Sequence, residues 1–526
     1  MTPFTATTAA TPTARPTTTA IEALRGRIVG VEQTVPVLEA APRRYVNFDN
    51  AASTPVHADV LETVNSFMHW YSSVHRGTGF KSRVATQAYE EAREIVGRFV
   101  GANTKDHTVI FGKNATEAIN KLSYRLPLRS EDVVLVSQLE HHSNDLPWRA
   151  RATVRHIGVD AQGRLDEAHL DQLLEEHAGR VRLVAVTGGS NVTGHMPAIH
   201  RLAAKAHAAG ARILVDCAQL APHRAIDMRA LDDPGHLDYV AISAHKMYAP
   251  FGTGALIGRR DTFEQGEPEY RGGGTVEFVA TDDVTWGQGP DRDEAGTPNV
   301  VGAVALAAAV QALERVGMDA VARHETELTA YALERLASIG GLRVYGEADP
   351  ARAVDRLGVI TFNIDGLSHF LVTAVLGTEY GIGVRNGCFC AHPYLMQLLG
   401  LSAAEAKRVR AEVAGGDRHA MPGMVRVSFG SYNTTEEIDV LVDALQHIAR
   451  CEFRGLYVQD RASGEFAADG WAPDAISFFA QPAGSPLHEP APPAPPALRM
   501  APVGQLVVPF RDLVVANDDV MDAVHA

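Results

Sequence analysis

The stretch Asp238-Tyr-Val-Ala-Ile-Ser-Ala-His-Lys246-Met-Tyr-Ala-Pro-Phe-Gly-Thr-Gly254 sets a lysine directly after an apolar run. Tyr239 to Ile242 reads as a short buried strand, and a Ser-x-His-Lys turn follows it. Gly-x-Gly then leads into a second apolar run, Ala255-Leu-Ile257. A lone lysine is in general a surface residue. Lys246 instead sits beside His245 and Ser243, with glycines that let the backbone approach a ligand. Thirty residues upstream, Ile213-Leu-Val215 ends in Asp216-Cys-Ala-Gln219. Two buried runs therefore end in a carboxylate and a cation.

That pairing is what a pyridoxal phosphate (PLP) site requires. The lysine forms a Schiff base with the aldehyde, and the aspartate holds the ring-nitrogen proton that makes the pyridine an electron sink. Ser243-Ala-His-Lys246 with Val215-Asp-Cys-Ala-Gln219 resembles the class V aminotransferase family of fold-type I PLP enzymes. Within it the chain is most similar to group II cysteine desulfurases and selenocysteine lyases, from about Tyr45 to Arg450. The resemblance implies an α/β fold: an N-terminal segment and large, mostly parallel seven-stranded sheet domain over 21–300, then a smaller α+β domain over 301–451. It also implies a homodimer with shared active sites.

In chain order, Tyr45 to Ala52, Ala51 included, resembles the segment lining the substrate end of the family's pocket. His57 to Val74 puts Val60, Leu61, Val64, Phe67, Met68 and Tyr71 on one helical face, a core pattern. His75-Arg76-Gly77 alone reads as a solvated turn; the resemblance places it near the substrate, often in the partner subunit's pocket. Gln87 to Phe99 is a second amphipathic helix. Asn114-Ala115-Thr116-Glu117 reads as a capped helix start, whose free N–H groups make a ready phosphate site. The resemblance assigns Ala115 and Thr116 to the cofactor phosphate end.

Glu140-His141-His142 raises the thought of a metal, but no further Cys or His stands at ligand spacing, and no metal is expected. The resemblance assigns His141 to stacking on the cofactor ring and to proton movement. His142 reads as structural. The family match gives Asn191 hydrogen bonds to the cofactor's 3-hydroxyl side and the substrate carboxylate, Gln219 a cofactor oxygen, and Ser243 and His245 places in the cofactor set. Strands alternating with helices predict a mostly parallel sheet covered on both faces, with ligands at the strands' C-terminal ends. Every candidate from Asn114 to Lys246 falls at such an end.

Glu294-Ala-Gly-Thr297-Pro-Asn299 resembles the family's crossing loop, whose threonine reaches the phosphate of the neighbouring subunit. Ala303 to Val316 is a helix expected to open the small domain. Gly381 to Pro393 then carries two thiols, Cys388 and Cys390. A Cys-x-Cys metal clip lacks partners, and inert packed thiols are common; a Gly-flanked polar loop suits an exposed, activatable thiol. The run resembles the group II catalytic loop, whose Arg-x-Gly-x-x-Cys pattern falls on Arg385, Gly387 and Cys390. Cys388 stands where close relatives have histidine, a form nearer the molybdenum-cofactor sulfurases. Which thiol is the nucleophile stays open here, with Cys390 favoured. Met424-Val-Arg426-Val-Ser-Phe429 resembles the strand carrying the substrate-carboxylate arginine. A guanidinium fork binds a carboxylate through two hydrogen bonds, and an arginine within an apolar strand needs such a partner.

Leu401 to Gly423 is longer than the resemblance predicts, and reads as a pocket cover, a dock for a sulfur-acceptor protein or an inert insertion. Ten of the 28 prolines lie between Pro473 and Pro509, so 452–526 reads as a linker, with Leu506–Val515 apolar enough to dock. Residues 1–20, rich in Thr, Ala and Pro, read as a disordered tail, with a transit peptide left open by Arg15, Arg25 and Arg27. At 526 residues and 46% hydrophobic content the chain suffices for two domains. A net charge of −15 argues against a nucleic-acid partner, and no apolar run approaches a membrane span. Four cysteines suit a reducing cytoplasm rather than a disulfide framework. The expected chemistry is L-cysteine to L-alanine with sulfur passed as a persulfide on Cys390, selenocysteine being a second candidate substrate. The rivals are a class V aminotransferase, epimerase or C–S β-lyase of secondary metabolism, and a non-catalytic PLP-fold binding module.

Overall fold

Strands with apolar side chains on both faces must be covered on both sides. In Val133–Ser137, Val133 and Leu135 enter one hydrophobic cluster while Val134 and Val136 enter another. Ile213 and Val215 divide from Leu214 in the same way. These two clusters are the opposite faces of one sheet. The computed structural model describes residues 23–264, 266–474 and 476. The expected tail 1–20 and the Leu506–Val515 segment lie outside the described residues.

The hairpin β1 (Thr34–Val37) and β2 (Ala40–Arg44) leads into β3 (Val46–Asn47). Helices α1 (Ala58–Met68) and α2 (Phe80–Phe99) follow. The side chain of His57 caps α1, and Val60, Val64 and Phe67 face inward as the pattern predicts. Met68 and Tyr71 do not: α1 ends at Met68, so the helical face stops there and both are left exposed. The seven strands then run β4 (His107–Gly112), β5 (Val133–Ser137), β6 (Thr153–Ile157), β7 (Val181–Thr187), β8 (Arg212–Asp216), β9 (Tyr239–Ser243) and β10 (Gly254–Arg259). Their spatial order is β4-β10-β9-β8-β7-β5-β6, with β10 alone running antiparallel to its neighbours. The expected mostly parallel, seven-stranded sheet is present. Its C-terminal edge carries Gly112, Ser137, Thr187, Asp216 and Ser243.

A two-stranded ribbon, β11 (Val276–Val279) with β12 (Val284–Trp286), stands apart from this sheet and exposes Phe278 and Val279. Helix α3 (Val300–Val316), the helix expected to open the small domain, packs instead in the large-sheet core. Gly317, at φ +88°, lets the chain turn by 76° into α4 (Met318–Leu336), and Leu328, Leu333 and Leu336 there join a separate cluster. That cluster is the core of a second sheet, β13 (Leu342–Tyr345), β14 (Val359–Ile364), β17 (Met424–Ser428) and β16 (Arg385–Gly387), antiparallel throughout. Val46 and Phe48 from the N-terminal segment also belong to it, since β3 pairs with β15 (Ile382–Gly383). Among the described residues no single helix is long and apolar enough to cross a membrane.

The 401–423 stretch forms α7 (Ala403–Ala414), after α5 (His369–Tyr380) and α6 (His392–Leu398), and buries none of its side chains. A capping box, Ser402 with Glu405, starts it. After α8 (Thr435–Ala449), the first part of the expected linker folds: β18 (Tyr457–Gln459) and β19 (Phe466–Ala468) make a hairpin. The fully buried Glu379 carboxylate anchors its base, accepting from Arg454 N (2.8 Å), Gly455 N (2.9 Å) and the Tyr457 hydroxyl (3.1 Å). Its tip is tied to the stretch after α7, where Arg418 N donates to Arg461 O at 2.8 Å and Gln459 Nε2 to His419 O at 3.0 Å.

Candidate active site

The ends of β4, β7, β8 and β9 open into a cavity of about 480 Å³, closed on the far side by the Arg385–Cys390 loop and Arg426 of β17. From the large domain the cavity gathers Ala115, Thr116, His141, Asn191, Asp216, Gln219, Ser243, His245 and Lys246. Ala51, Arg385, Cys390 and Arg426 complete it. Segments more than 300 residues apart in sequence thus meet at one sheet edge.

One end of the cavity is rich in donors. The Asn114 side chain caps the helix Ala115–Arg125 by accepting from Glu117 N, and Ala115 N donates to Ser243 Oγ at 2.8 Å. Thr116 Oγ1 lies 2.7 Å from Ser143 Oγ, which in turn lies 2.9 Å from His141 Nδ1. Gly254 permits this arrangement: a Cβ there would stand 2.6 Å from the Asn114 backbone. Burial, with Lys246 and His142 adding to it, holds His141 down at about 4, and burial does the same to His245. Both imidazoles are therefore neutral at pH 7.

At the centre, Lys246 is enclosed by protein and open to the cavity, and burial lowers its ammonium to about 8, with Asp216 opposing and Arg426 assisting. Burial raises the Asp216 carboxyl, opposed by the Ala218 N–H that it accepts (3.0 Å) and by Lys246. Behind it, Glu140 joins the ends of β5 and β7, accepting from Ser137 Oγ, Asn144 Nδ2 (2.7 Å) and Thr187 N (2.7 Å). Burial pushes Glu140 up to about 8, against those three donors.

At the other end, Arg426 Nη1 donates to Asn191 O at 3.0 Å and Nη2 to Asp49 Oδ1 at 3.1 Å. Phe389 lies under the guanidinium, 4.8 Å from ring centroid to Cζ. Arg426 Nε is buried with no hydrogen-bond partner. Arg385 reaches the other oxygen of Asp49 at 2.8 Å. Cys390 is exposed, whereas Cys388 is buried, donates to Pro422 O (3.3 Å) and is pushed up to about 12 by burial.

Three sequence candidates lie elsewhere. His75 and Arg76 line a separate cavity of about 380 Å³ beside Gly296, and Thr297 next to it is exposed. Conversely, Asp49, Phe389 and Ser143 were not among the candidates. The only sequence signals for them are an acid inside Tyr45–Ala52, an aromatic between the two thiols and a serine after the paired histidines.

The donor set suits PLP. N–H and hydroxyl donors at the helix start after β4 match a phosphate, the buried carboxylate ending β8 matches a ring nitrogen, and the amine after β9, which lies between those strands, matches an aldehyde. The orphaned Arg426 Nε matches the carboxylate of an amino acid.

Comparison with known proteins agrees. Residues 46–441 match the family described as aminotransferase class-V. A cysteine desulfurase of Dickeya dadantii is 37% identical over 413 residues, covering 76% of this chain and 91% of the relative. A probable cysteine desulfurase of Streptomyces coelicolor is 35% identical over 418 residues, covering 77% and 92%. Among solved structures, the cysteine desulfurase CsdA of Escherichia coli, in an S-sulfonic acid form, superposes with a TM-score of 0.67 at 30% identity, covering 82% of this chain and 99% of that one. The apo cysteine desulfurase of Thermococcus onnurineus gives 0.67 at 31%, covering 77% and 95%. From its sheet edge to its arginine strand, the chain belongs to the class-V aminotransferase family.

Proposed function

We propose that this protein is a PLP-dependent cysteine desulfurase that turns L-cysteine into L-alanine and holds the sulfur as a persulfide on Cys390. The observation that carries the reading is one cavity lined by a half-buried amine, an arginine and an exposed thiol: Lys246, Arg426 and Cys390. Ala115, Thr116, Ser243 and His245 would hold the cofactor phosphate end, His141 and Gln219 its ring and oxygen, Asp216 its nitrogen and Lys246 its aldehyde. Bound there, PLP supplies an electron sink for the charge left on the substrate's α-carbon.

The remaining chemistry belongs to the chain. Arg426, oriented by Asp49, Asn191 and Phe389, binds the substrate carboxylate, with Asn191 and Arg385 beside it. Lys246, held near neutral pH by burial, is matched to moving the α-proton at its Nζ. The Cys390 thiolate attacks the substrate sulfur: an S–S bond forms, the C–S bond breaks, and its electron pair with a proton completes the methyl group of alanine. Cys388 takes no part, because its thiol stays protonated and tied to Pro422. A sulfur-acceptor protein or small thiol then takes the terminal sulfur from Cys390, the cysteine that reaches solvent at the cavity mouth.

The reading includes a homodimer with shared sites. His75, Arg76 and Thr297 lie together outside this chain's own cavity, beside a ribbon that exposes Phe278 and Val279. A second copy would cover that apolar ribbon and bring those three residues to its neighbour's cavity.

The test is alanine and sulfide release from L-cysteine with a thiol reductant, wild type beside Cys390→Ser. Loss of both products in the variant, with the cofactor's visible absorption retained, supports desulfuration through that thiol. Undiminished turnover in the variant overturns it in favour of β-elimination.

A further inference from the structure

The Cys390 turn is strained. Ala391 N donates to Cys388 O at 2.9 Å, closing a four-residue turn whose central residues, Phe389 and Cys390, have φ of +50° and +54°. Positive φ at both central positions is the signature of a type I′ turn, which favours Asn and Gly. Phe and Cys both disfavour that conformation, so the surroundings must impose it.

Three contacts from outside the turn do so. Asn191 Nδ2 donates to Phe389 O at 2.7 Å, and His142 N donates to Cys390 O at 2.8 Å. The third comes from the His142 ring, whose Nε2 lies 3.4 Å from His392 N and 3.2 Å from His392 Nδ1. The two rings are nearly parallel, at 8°, with centroids 5.0 Å apart. A backbone N–H can only donate, so Nε2 of His142 is the acceptor and its proton sits on Nδ1. His392 Nδ1 then carries a proton and donates to the same nitrogen. One residue therefore grips the thiol turn on both sides, by its own N–H at residue 390 and by its ring at residue 392. That residue adjoins His141, which lines the cavity from the opposite wall.

Resting on the desulfurase reading, we propose that His142 and His392 are positioning residues: a paired-imidazole latch that holds Cys390 in its left-handed turn and so fixes the thiol toward the substrate sulfur. Neither touches the reacting atoms. Because the latch needs an unprotonated Nε2, protonating His142 turns the acceptor into a donor facing two donors, and the grip opens. The charged and titratable groups facing His142 are His141, His392, and Asp145 with its partners Arg149 and His156.

The test uses holoenzyme of wild type, His142→Ala, His142→Gln, His392→Ala and the double alanine variant. The first readout is amide hydrogen exchange over 388–392 and the rate at which iodoacetamide labels Cys390, located by mass spectrometry. Neither needs turnover. Faster exchange and altered labelling in His142→Ala and His392→Ala, with the double variant no worse than His142→Ala, are expected. After correction for the fall in thiolate fraction that any thiol shows, wild type should show a further change in labelling rate as pH falls below the ordinary imidazole range. His142→Gln, which keeps an acceptor that cannot titrate, should restore slow exchange and lack that change. The second readout is turnover: kcat about tenfold lower in His142→Ala with KM and the visible spectrum unchanged. Unaltered exchange and labelling in both single variants overturn the latch, as do effects that simply add in the double variant. If His142→Ala does not fold, His392→Ala and His142→Gln decide by the same criteria. Wild type that yields no alanine overturns the desulfurase reading instead, and leaves the exchange result to judge the latch.

Discussion

Asp49 and Arg426, 377 positions apart, meet at 3.1 Å, and the second oxygen of Asp49 takes Arg385 at 2.8 Å. One carboxylate therefore aligns two guanidinium groups at the mouth of the site while leaving Arg426 Nε unpartnered. Arg426→Lys keeps the charge and loses the fork. It should raise KM for L-cysteine about 100-fold, a loss of about 3 kcal/mol, with the cofactor's visible absorption unchanged. Steady-state kinetics beside a spectrum measure both; an unchanged KM contradicts the assignment of Arg426 to the carboxylate.

The two thiols should separate cleanly. Cys388→Ser offers Pro422 O a hydroxyl in place of the buried thiol, so turnover should stay within about twofold of wild type. At pH 7 an alkylating reagent should label Cys390 and Cys451, both exposed, and spare Cys388, which stays protonated up to about 12. Peptide mapping after labelling decides this; a labelled Cys388 contradicts it.

Lys246 sets a pH dependence. Only a neutral amine attacks an aldehyde, and burial brings this ammonium down to about 8. Reconstitution of apo protein with PLP should therefore accelerate as pH rises through about 8, rather than near the ordinary lysine value of about 10.4. Asp216 raises the Lys246 value, so Asp216→Asn should move the midpoint lower still. Growth of the visible band against pH reads both midpoints, and a midpoint near 10 contradicts the burial argument.

Glu379 is a stability prediction. Glu379→Ala leaves Arg454 N and Gly455 N without their acceptor inside the protein and Arg454 without its charge partner. It should cost about 3 kcal/mol, read as a lower denaturant midpoint. A midpoint unchanged from wild type would mean that the 457–468 hairpin docks without it.

What the sequence makes legible follows from how local each signal is. Lys246, Asp216 and Asn191 each end an apolar run, and a strand end is written in consecutive residues. The sheet edge then assembles them without further information. Asp49 carries no such mark, because its meaning depends on a strand that begins at Met424. The hairpin of β18 and β19 escapes for a related reason: its strands have three residues each, too few for alternation to show, and their cover comes from Glu379 and the stretch after α7. Met68 and Tyr71 mislead in the opposite direction, since the apolar periodicity continues past the point where the helix stops.

The single antiparallel strand of the large sheet has a mechanical effect. Because β10 reverses, the chain leaves the ligand edge at Ser243 and re-enters it at Gly254, its cross-strand partner. Ala244 N closes the loop on Thr253 O at 2.9 Å. Lys246 thus rides on a span fixed at both abutments, unlike the thiol across the cavity, whose support is a turn held from outside. The amine is therefore placed by the sheet itself, through the pairing of Ser243 with Gly254, whereas the thiol is placed by side chains that reach it from other segments. Changes in those side chains should displace the sulfur and leave the amine where it is.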